Sequence, residues 1–395
     1  MIFIFYILAA MLIYFSFKSF RGGIAYLDYF RREVAKPVSD FTPFVTIFAP
    51  CKGLDQGLKE NLEALLAQDY PAYEVIFVVD DENDTAVPVI RGLPGDSKLV
   101  VAPKSVDSSQ KVENLREAVL HASDQSMVFV FVDSDARPSK TWLRPLVAPL
   151  EDETVGIATG YRWFISSRPS FASEMRAAWN ASIASALGPG LKNEFCWGGA
   201  AAVRREVFER LNVRERWHGT VSDDFVLARV VREAGMPIYF VPQALTPSIE
   251  TCTLGELFEF TTRQIKLTRV YAPNLWKLSF FGSGLFNLIM LSAVLILVLD
   301  RQDRFAIVAA AFTIFAVSVF SIGKAWLRLK AVEMVLSGHR DSIRKQTFSQ
   351  LTLWSLAPAV FLSNCTAALI SRQIEWRGNR YILVSSSKIL TLPKR

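Results

Sequence analysis

The sequence predicts an α/β domain with a mostly parallel central sheet, flanked in the chain by apolar helices long enough to cross a membrane. Three observations predict it. Short apolar runs end in acidic residues, most clearly residues 127–131, which lead into Val132-Asp133-Ser134-Asp135. Strand-like runs alternate with helix-like ones, as expected when parallel strands are joined by crossover helices. The apolar residues, 51% of the 395-residue chain, are concentrated at its two ends, while the middle has ordinary globular composition.

The elements follow in order. Residues 1–17 are almost all apolar, and residues 280–299, 305–322 and 351–370 form further long apolar runs. Each approaches the ~20 residues a helix needs to span a bilayer. The first run has no basic residues before it and no clean small-residue cleavage site after it, so it is read as an uncleaved anchor. Lys18, Arg21, Arg31 and Arg32 follow it, which directs the start outward and the globular part to the cytosol. Residues 45–49 read as a strand ending in Pro50-Cys51-Lys52-Gly53, and Leu58, Leu62, Leu65 and Leu66 have helical spacing up to Pro71. Strands are expected at 73–79, ending in Asp80-Asp81, at 98–101 and at 127–132, with a helix over 111–122.

Beyond Pro138 the expectation is a strand at 155–159, an amphipathic helix at 171–187 and a turn or close backbone approach at Trp197-Gly198-Gly199. Helices follow at 203–211 and 222–234, the latter capped by Ser222 and opened by Asp223 and Asp224, which suit a helix N-terminus. A strand is expected at 238–241. Residues 254–277 mix apolar and basic side chains and read as a helix lying on the membrane surface. The expected organisation is an anchor at 1–20, a cytosolic domain at 40–250, an interfacial segment at 251–279, a transmembrane hairpin at 280–323, a basic cytosolic loop at 324–348, a spanning or re-entrant segment at 349–371 and a basic tail at 372–395.

Composition narrows the function. Cys51, Cys196, Cys252 and Cys365 match no zinc spacing, and a cytosolic domain keeps them reduced. The net charge of +6 comes with basic residues flanking the apolar runs, which fits anionic lipid headgroups better than nucleic acid. No protein partner is evident. An Asp-x-Asp at the C-terminal end of a parallel strand lies where open α/β sheets bind ligands. Two carboxylates there suit a hard divalent cation, which can in turn hold a diphosphate. A nucleotide-sugar site is one reading; a solvated loop after a strand is the other.

Four elements line up in order: Pro50-Cys51-Lys52-Gly53-Leu54-Asp55 with Asn61-Leu62 and Asp69-Tyr70-Pro71; Asp80-Asp81-Glu82-Asn83-Asp84; Asp133-Ser134-Asp135; and Ser222-Asp223-Asp224-Phe225. This ordered set resembles family 2-type inverting glycosyltransferases of the GT-A fold. The first element, the anchors and the tail Ile374-Glu375-Trp376-Arg377-Gly378-Asn379-Arg380-Tyr381 look like ceramide glucosyltransferases and related bacterial lipid glycosyltransferases. The resemblance covers roughly residues 45–272 and the tail, and it favours glycosyl transfer far more specifically than any one sugar or lipid.

The resemblance implies roles. Asp81 with Asp80 would contact the nucleotide, and Lys111 would approach the nucleotide or diphosphate with Asn114 supporting it. Asp135 would ligate a divalent cation, Mg2+ or Mn2+, with Asp133 assisting. Asp224, with Asp223 beside it, would be the general base. Trp197, Gly198 and Gly199 would shape the acceptor pocket. Arg263, Gln264 and Lys266 stand where the family group carries a basic Gln/Arg-x-x-Arg-Trp motif. One base and no enzyme nucleophile imply inversion. The donor implied is a UDP-sugar, glucose first, and the acceptor the hydroxyl of a membrane lipid, ceramide-like, hopanoid or diacylglycerol, with polyprenyl phosphate also open. The protein would be integral to the membrane, the inner or plasma membrane in a bacterium.

Two departures matter. Lys266-Leu267 replaces the expected Arg-Trp, which weakens the competing reading as a processive polysaccharide synthase. Four full crossings would also place the tail opposite the catalytic face, so residues 351–370, with Pro358 and Asn364, are expected either to span or to dip in and return. A non-enzymatic scaffold is the remaining alternative, and it predicts broken carboxylates. Asp81, Asp135 and Asp224 are all intact.

Overall fold

The computed structural model describes residues 2–37, 39–188, 195–300 and 302–393; Lys394 and Arg395, at the end of the expected basic tail, lie outside them. The chain divides into two units, one holding residues 32–168, 187–251 and 372–395, the other residues 1–31, 169–186 and 252–371.

The first unit is built on a seven-stranded sheet. Its strands are β1 (Val45–Pro50), β2 (Tyr73–Val79), β3 (Lys98–Val101), β4 (Val128–Phe131), β5 (Ile157–Ile165), β6 (Ala201–Arg204) and β7 (Ile238–Ile249), in the order β3-β2-β1-β4-β6-β5-β7. β1, β2, β3 and β4 run parallel, as do β5 and β7, and only β6 is antiparallel to its neighbours. This is the mostly parallel α/β sheet expected. Residues 45, 47–49, 75–79 and 128–132 are buried, as continuous apolar strands covered on both faces must be. Each such side chain contributes about 1.5–3 kcal/mol. Phe48 stacks on Phe131 at 5.5 Å, tying the central strands together across the sheet face.

Three details differ from expectation. β6 lies between the expected turn at 197–199 and the expected helix at 203–211 and takes the first two residues of that helix, because pairing with β4 and β5 overrides local propensity. β5 and β7 run well past the predicted 159 and 241, with a register shift between Thr159 and Tyr161. The tail is not loose: β8 (Gln373–Trp376), β9 (Asn379–Ser385) and β10 (Lys388–Leu392) form an antiparallel sheet. Arg377 and Gly378, both at positive φ, make the two-residue turn between β8 and β9.

The second unit is helical. Ile2–Val34, Pro273–Leu299 and Arg304–Val335 are each long and apolar enough to cross a membrane, and Thr347–Ser355 with Ala357–Ile370 forms a pair bent by 57°. The first helix outruns the expected boundary at 20, and residues 324–335 continue a helix where a basic loop was expected. Their Ala325, Leu329, Ala331 and Val332 are buried, so packing carries the helix past its cations. The expected interfacial helix is broken at Ala272, where Pro273 opens the next helix. Its start carries a capping box: Thr253 Oγ1 accepts from Glu256 N, and Thr253 N donates to Glu256 at 2.7 Å. Trp179 is fully buried, stacked on Phe361 at 4.9 Å with Phe260 edge-on.

Candidate active site

Parallel strands present their C-terminal ends on one edge, so β1, β2 and β4 deliver Lys52, Asp80-Asp81 and Asp133-Ser134-Asp135 to the same rim. At β2 the buried Asp80 accepts from Lys52 Nζ at 2.8 Å and from Lys104 Nζ at 3.0 Å; Lys104 also reaches the half-exposed Asp81 at 3.2 Å. Burial pushes the Asp80 carboxyl up, but the two lysines outweigh it and hold it below the usual range.

The centre of the rim is a charge lattice. Lys111 stands in the first turn of the Gln110–Ala118 helix, whose N-cap Ser109 accepts from Val112 N. Its Nζ donates to Asp133 Oδ1 at 2.7 Å and pairs with Asp223 Oδ1 at 3.1 Å. Asn114 is buried one turn on and accepts from Gln110 Nε2 at 2.9 Å, which steadies that helix. Arg162, from β5, bridges both carboxylates of the Asp-x-Asp: Nη2 to Asp133 at 2.9 Å and Nη1 to Asp135 at 3.2 Å. Its guanidinium lies over the Trp197 ring, 4.8 Å from the centroid.

The two carboxylates differ. Burial raises both, but Lys111 and Arg162 together pull Asp133 below the usual range, whereas Asp135, with Arg162 as its main counter-charge and the negative Asp133 and Asp55 nearby, stays above it. Asp135 Oδ1 is buried and has no hydrogen-bond partner among the described residues.

Ser222 caps the Asp223–Glu233 helix as expected, accepting from Phe225 N. The two acids it introduces part ways. Asp223 is buried against Lys111, and burial lifts its carboxyl to about 6. Asp224 is less buried: Oδ1 accepts from Phe225 N at 2.7 Å and from the Ser222 hydroxyl, while Oδ2 has, among the described residues, only Gly198 N at 3.4 Å. Glycine at 198 is required by space, since a Cβ there would lie 2.4 Å from Asp223 Oδ2; at Gly199 it would strike the Trp197 ring at 2.1 Å. The segment Trp197, Gly198 and Gly199 therefore packs directly on the acidic helix start and on Arg162.

Some contributors carried no role in the sequence reading. Arg162 sits in a strand with nothing local to mark it. From the tail sheet, Trp376 lies over Lys111 Nζ at 5.8 Å, Arg377 ion-pairs with Asp55, and the Tyr381 hydroxyl accepts from Gln110 N at 3.2 Å. Asp55 in turn accepts from Ser134 Oγ at 2.8 Å, and Asn61 Nδ2 donates to Ser134 O at 3.0 Å, so the first motif braces the Asp-x-Asp loop. The alternating residues around Arg377-Gly378 were the available sign of a hairpin.

Arg263, Gln264 and Lys266 belong to the Leu254–Tyr271 helix of the other unit. There Arg263 lies 3.7 Å from Glu259 and over the Phe260 ring, and burial lowers the Lys266 ammonium. Among the described residues no three acids, histidines or cysteines form a ready metal cage.

A profile of glycosyl transferase family 21 matches residues 5–389. The chain belongs to that family. The resemblance expected from the four ordered motifs thus holds, with family 21 in place of the broader family 2 type. The chain is 32% identical over 75 residues to a ceramide glucosyltransferase of Komagataella phaffii, covering 19% of this chain and 15% of that one. It is 33% identical over 95 residues to a ceramide glucosyltransferase of Candida albicans, covering 20% and 18%. These matches therefore span less than a fifth of those relatives. A mannosyltransferase from Pyrobaculum calidifontis, solved with GDP-Man and Mn2+, is similar over 92% of this family 21 chain and 99% of its own, at 18% identity and a TM-score of 0.48. That score is too low to carry an argument, and the fold rests on the sheet described above.

Proposed function

We propose that this family 21 protein transfers a single sugar, glucose first, from a UDP-sugar to the hydroxyl of a membrane lipid of ceramide-like class, at the cytosolic face and with inversion. The observation that supports it is the lattice of Asp133, Asp135, Lys111 and Arg162 on the sheet rim, with Asp224 opening the neighbouring helix. Displacement at an anomeric carbon needs a stabilised leaving diphosphate and an acceptor hydroxyl relieved of its proton. Lys111 and Arg162 are the buried cations for the first task. Asp224 serves the second, because one of its oxygens is fixed by the helix N-terminus and the other has only a long backbone contact. Asp223 is committed to Lys111 and acts as a positioning residue. Asp80, Asp81, Lys52 and Lys104 lie along the same rim for the nucleoside.

A divalent cation, Mg2+ or Mn2+, fits Asp135, whose buried Oδ1 lacks a hydrogen-bond partner among the described residues. Asp133 fits less directly, since both its oxygens are already engaged. When bound, the cation would neutralise charge on the departing diphosphate. Arg263, Gln264 and Lys266 are proposed as further donor contacts.

The protein would be integral to the membrane, with the sheet unit cytosolic. The chain leaves that unit at Thr251 and re-enters it at Arg372. A segment that starts and ends on one side crosses an even number of times. With Pro273–Leu299 and Arg304–Val335 as the two crossings, the bent pair Thr347–Ser355 and Ala357–Ile370 enters and leaves by the same face.

The test is purified protein in lipid with Mn2+, a panel of UDP-sugars and a mixed lipid extract, read by mass spectrometry. One added hexose is expected. Asp224→Asn should reduce the rate by about 10²–10⁴-fold while leaving UDP binding intact. Ladders of added sugar would instead establish a processive synthase, and no transfer together with no UDP binding would remove the enzymatic reading.

A further inference from the structure

The helical unit encloses a cavity of about 380 Å³ among the helices Ile2–Val34, Phe171–Ala184, Pro273–Leu299, Arg304–Val335 and Ala357–Ile370 and the Gln350–Trp354 segment. Much of its wall is apolar, including Leu12, Phe15, Phe286, Phe320, Trp354 and Phe361. One side is not. Ser321, Lys324 and Arg328 follow one another at intervals of one helical turn and so share a face. Ser16, Ser19, Ser182, Ser279 and Ser283 add hydroxyls around them.

The charge here is uncompensated. Among the described residues the cavity is lined by two cations and no carboxylate. Lys324 Nζ donates to Ser19 Oγ at 2.9 Å, and Arg328 Nη2 donates to Gln350 Oε1 at 3.1 Å. Arg328 is 5% exposed and Gln350 is fully buried, yet Arg328 Nε and Gln350 Nε2 have no partner among the described residues. Two buried donors and two cations in an apolar setting carry a desolvation penalty that a bound anion would relieve.

We infer that this cavity binds the anionic headgroup of a lipid, a phosphate or phosphodiester, with Arg328 and Lys324 as its counter-ions and the aromatic wall against the start of the acyl chains. The mixture of cations, hydroxyls and apolar wall selects an amphiphile over a free anion. The location between candidate membrane helices gives such a molecule lateral access from the bilayer. This inference stands apart from the sugar-transfer reading, because it needs no residue of the sheet rim.

The experiment uses the full chain in a neutral detergent, with dioctanoyl phosphatidylglycerol, dioctanoyl phosphatidylcholine and inorganic phosphate as probes, read by native mass spectrometry. Phosphatidylglycerol should be retained at least about tenfold more strongly than phosphatidylcholine, and equimolar inorganic phosphate should not displace it. Lys324→Gln should cut the preference several-fold and Arg328→Gln should abolish it; Lys324 is the milder change if Arg328→Gln does not fold. Equal retention of the two lipids, or a preference untouched by Lys324→Gln and by whatever Arg328→Gln protein folds, would overturn the site. Displacement by equimolar phosphate would overturn the lipid and leave only an anion. Sugar transfer plays no part in this readout, so its failure and that of the proposed enzymatic function are told apart.

Discussion

In the sheet unit Lys111 and Arg162 are each shared between two carboxylates, whereas in the helical unit Lys324 and Arg328 have, among the described residues, a serine and a glutamine as hydrogen-bond partners. The first pair is locked into a lattice in which each member satisfies others. The second pair is a set of donors with nothing negative to meet. Buried charge is tolerated in both places for different reasons: mutual neutralisation in one, an expected outside partner in the other. Removing a cation should therefore be damaging in the sheet unit and mild in the helical unit.

The largest expected effect is at Lys111. Lys111→Ala leaves Asp133 and Asp223 facing each other without their shared cation, a loss of about 3–5 kcal/mol, to be seen as a lowered denaturation midpoint together with loss of transfer. Arg162→Gln comes next. It strips Asp135 of its ion pair with Arg162, so stability and transfer should fall, while Mn2+ affinity measured by calorimetry should rise because a competing cation has gone. Weaker Mn2+ binding in that variant would mean that Arg162 shapes the carboxylates rather than competing for them. In the helical unit, Lys324→Gln should leave the thermal midpoint unchanged or raise it by a few degrees, and a drop as large as that of Lys111→Ala would erase the contrast between the two regions.

The smallest effect is a pH dependence. The Asp223 carboxyl is lifted to about 6 by burial, so it loses its charge, and its hold on Lys111, as the pH falls through that value. Activity should decline below pH 6, and Asp223→Asn should flatten the profile. Stability runs the other way. A carboxyl whose folded pKa exceeds its unfolded value near 4 penalises folding above pH 6, and that penalty fades between about 6 and 4. A fall in activity that tracks unfolding would assign the effect to other groups.

Much of this was legible in the chain. β2 and β4 lie where apolar runs meet acidic ends, and β1 and β3 where apolar runs meet a proline and a lysine, because buried parallel strands need continuous apolar sequence and their ends carry the polar rim. Ser222 with Asp223 and Asp224 announced a helix start by the chemistry of exposed N–H groups. What sequence order cannot display is convergence. Arg162 reaches the Asp-x-Asp only because β5 pairs with β6 and β6 with β4. The difference between Asp223 and Asp224 depends on which of two adjacent side chains turns toward Lys111. β6 was missed because its four residues run straight into a helix and only neighbouring strands mark them as a strand, and the tail sheet because its basic side chains mask an alternating core of Ile374, Tyr381, Leu383 and Ile389.

The tail sheet bears on how the protein is made. Trp376, Arg377 and Tyr381 emerge from the ribosome after every long apolar helix of the described chain, yet they contact Lys111, Asp55 and Gln110, which were synthesised more than 250 residues earlier. A nascent chain that has folded its parallel strands but not yet synthesised its later apolar helices holds the acids of the rim without those closing contacts. Premature termination before Trp376 yields the same unfinished edge. Completion of the rim therefore waits until every long apolar helix of the described chain has been synthesised, so the order of synthesis sets the order in which this edge is closed.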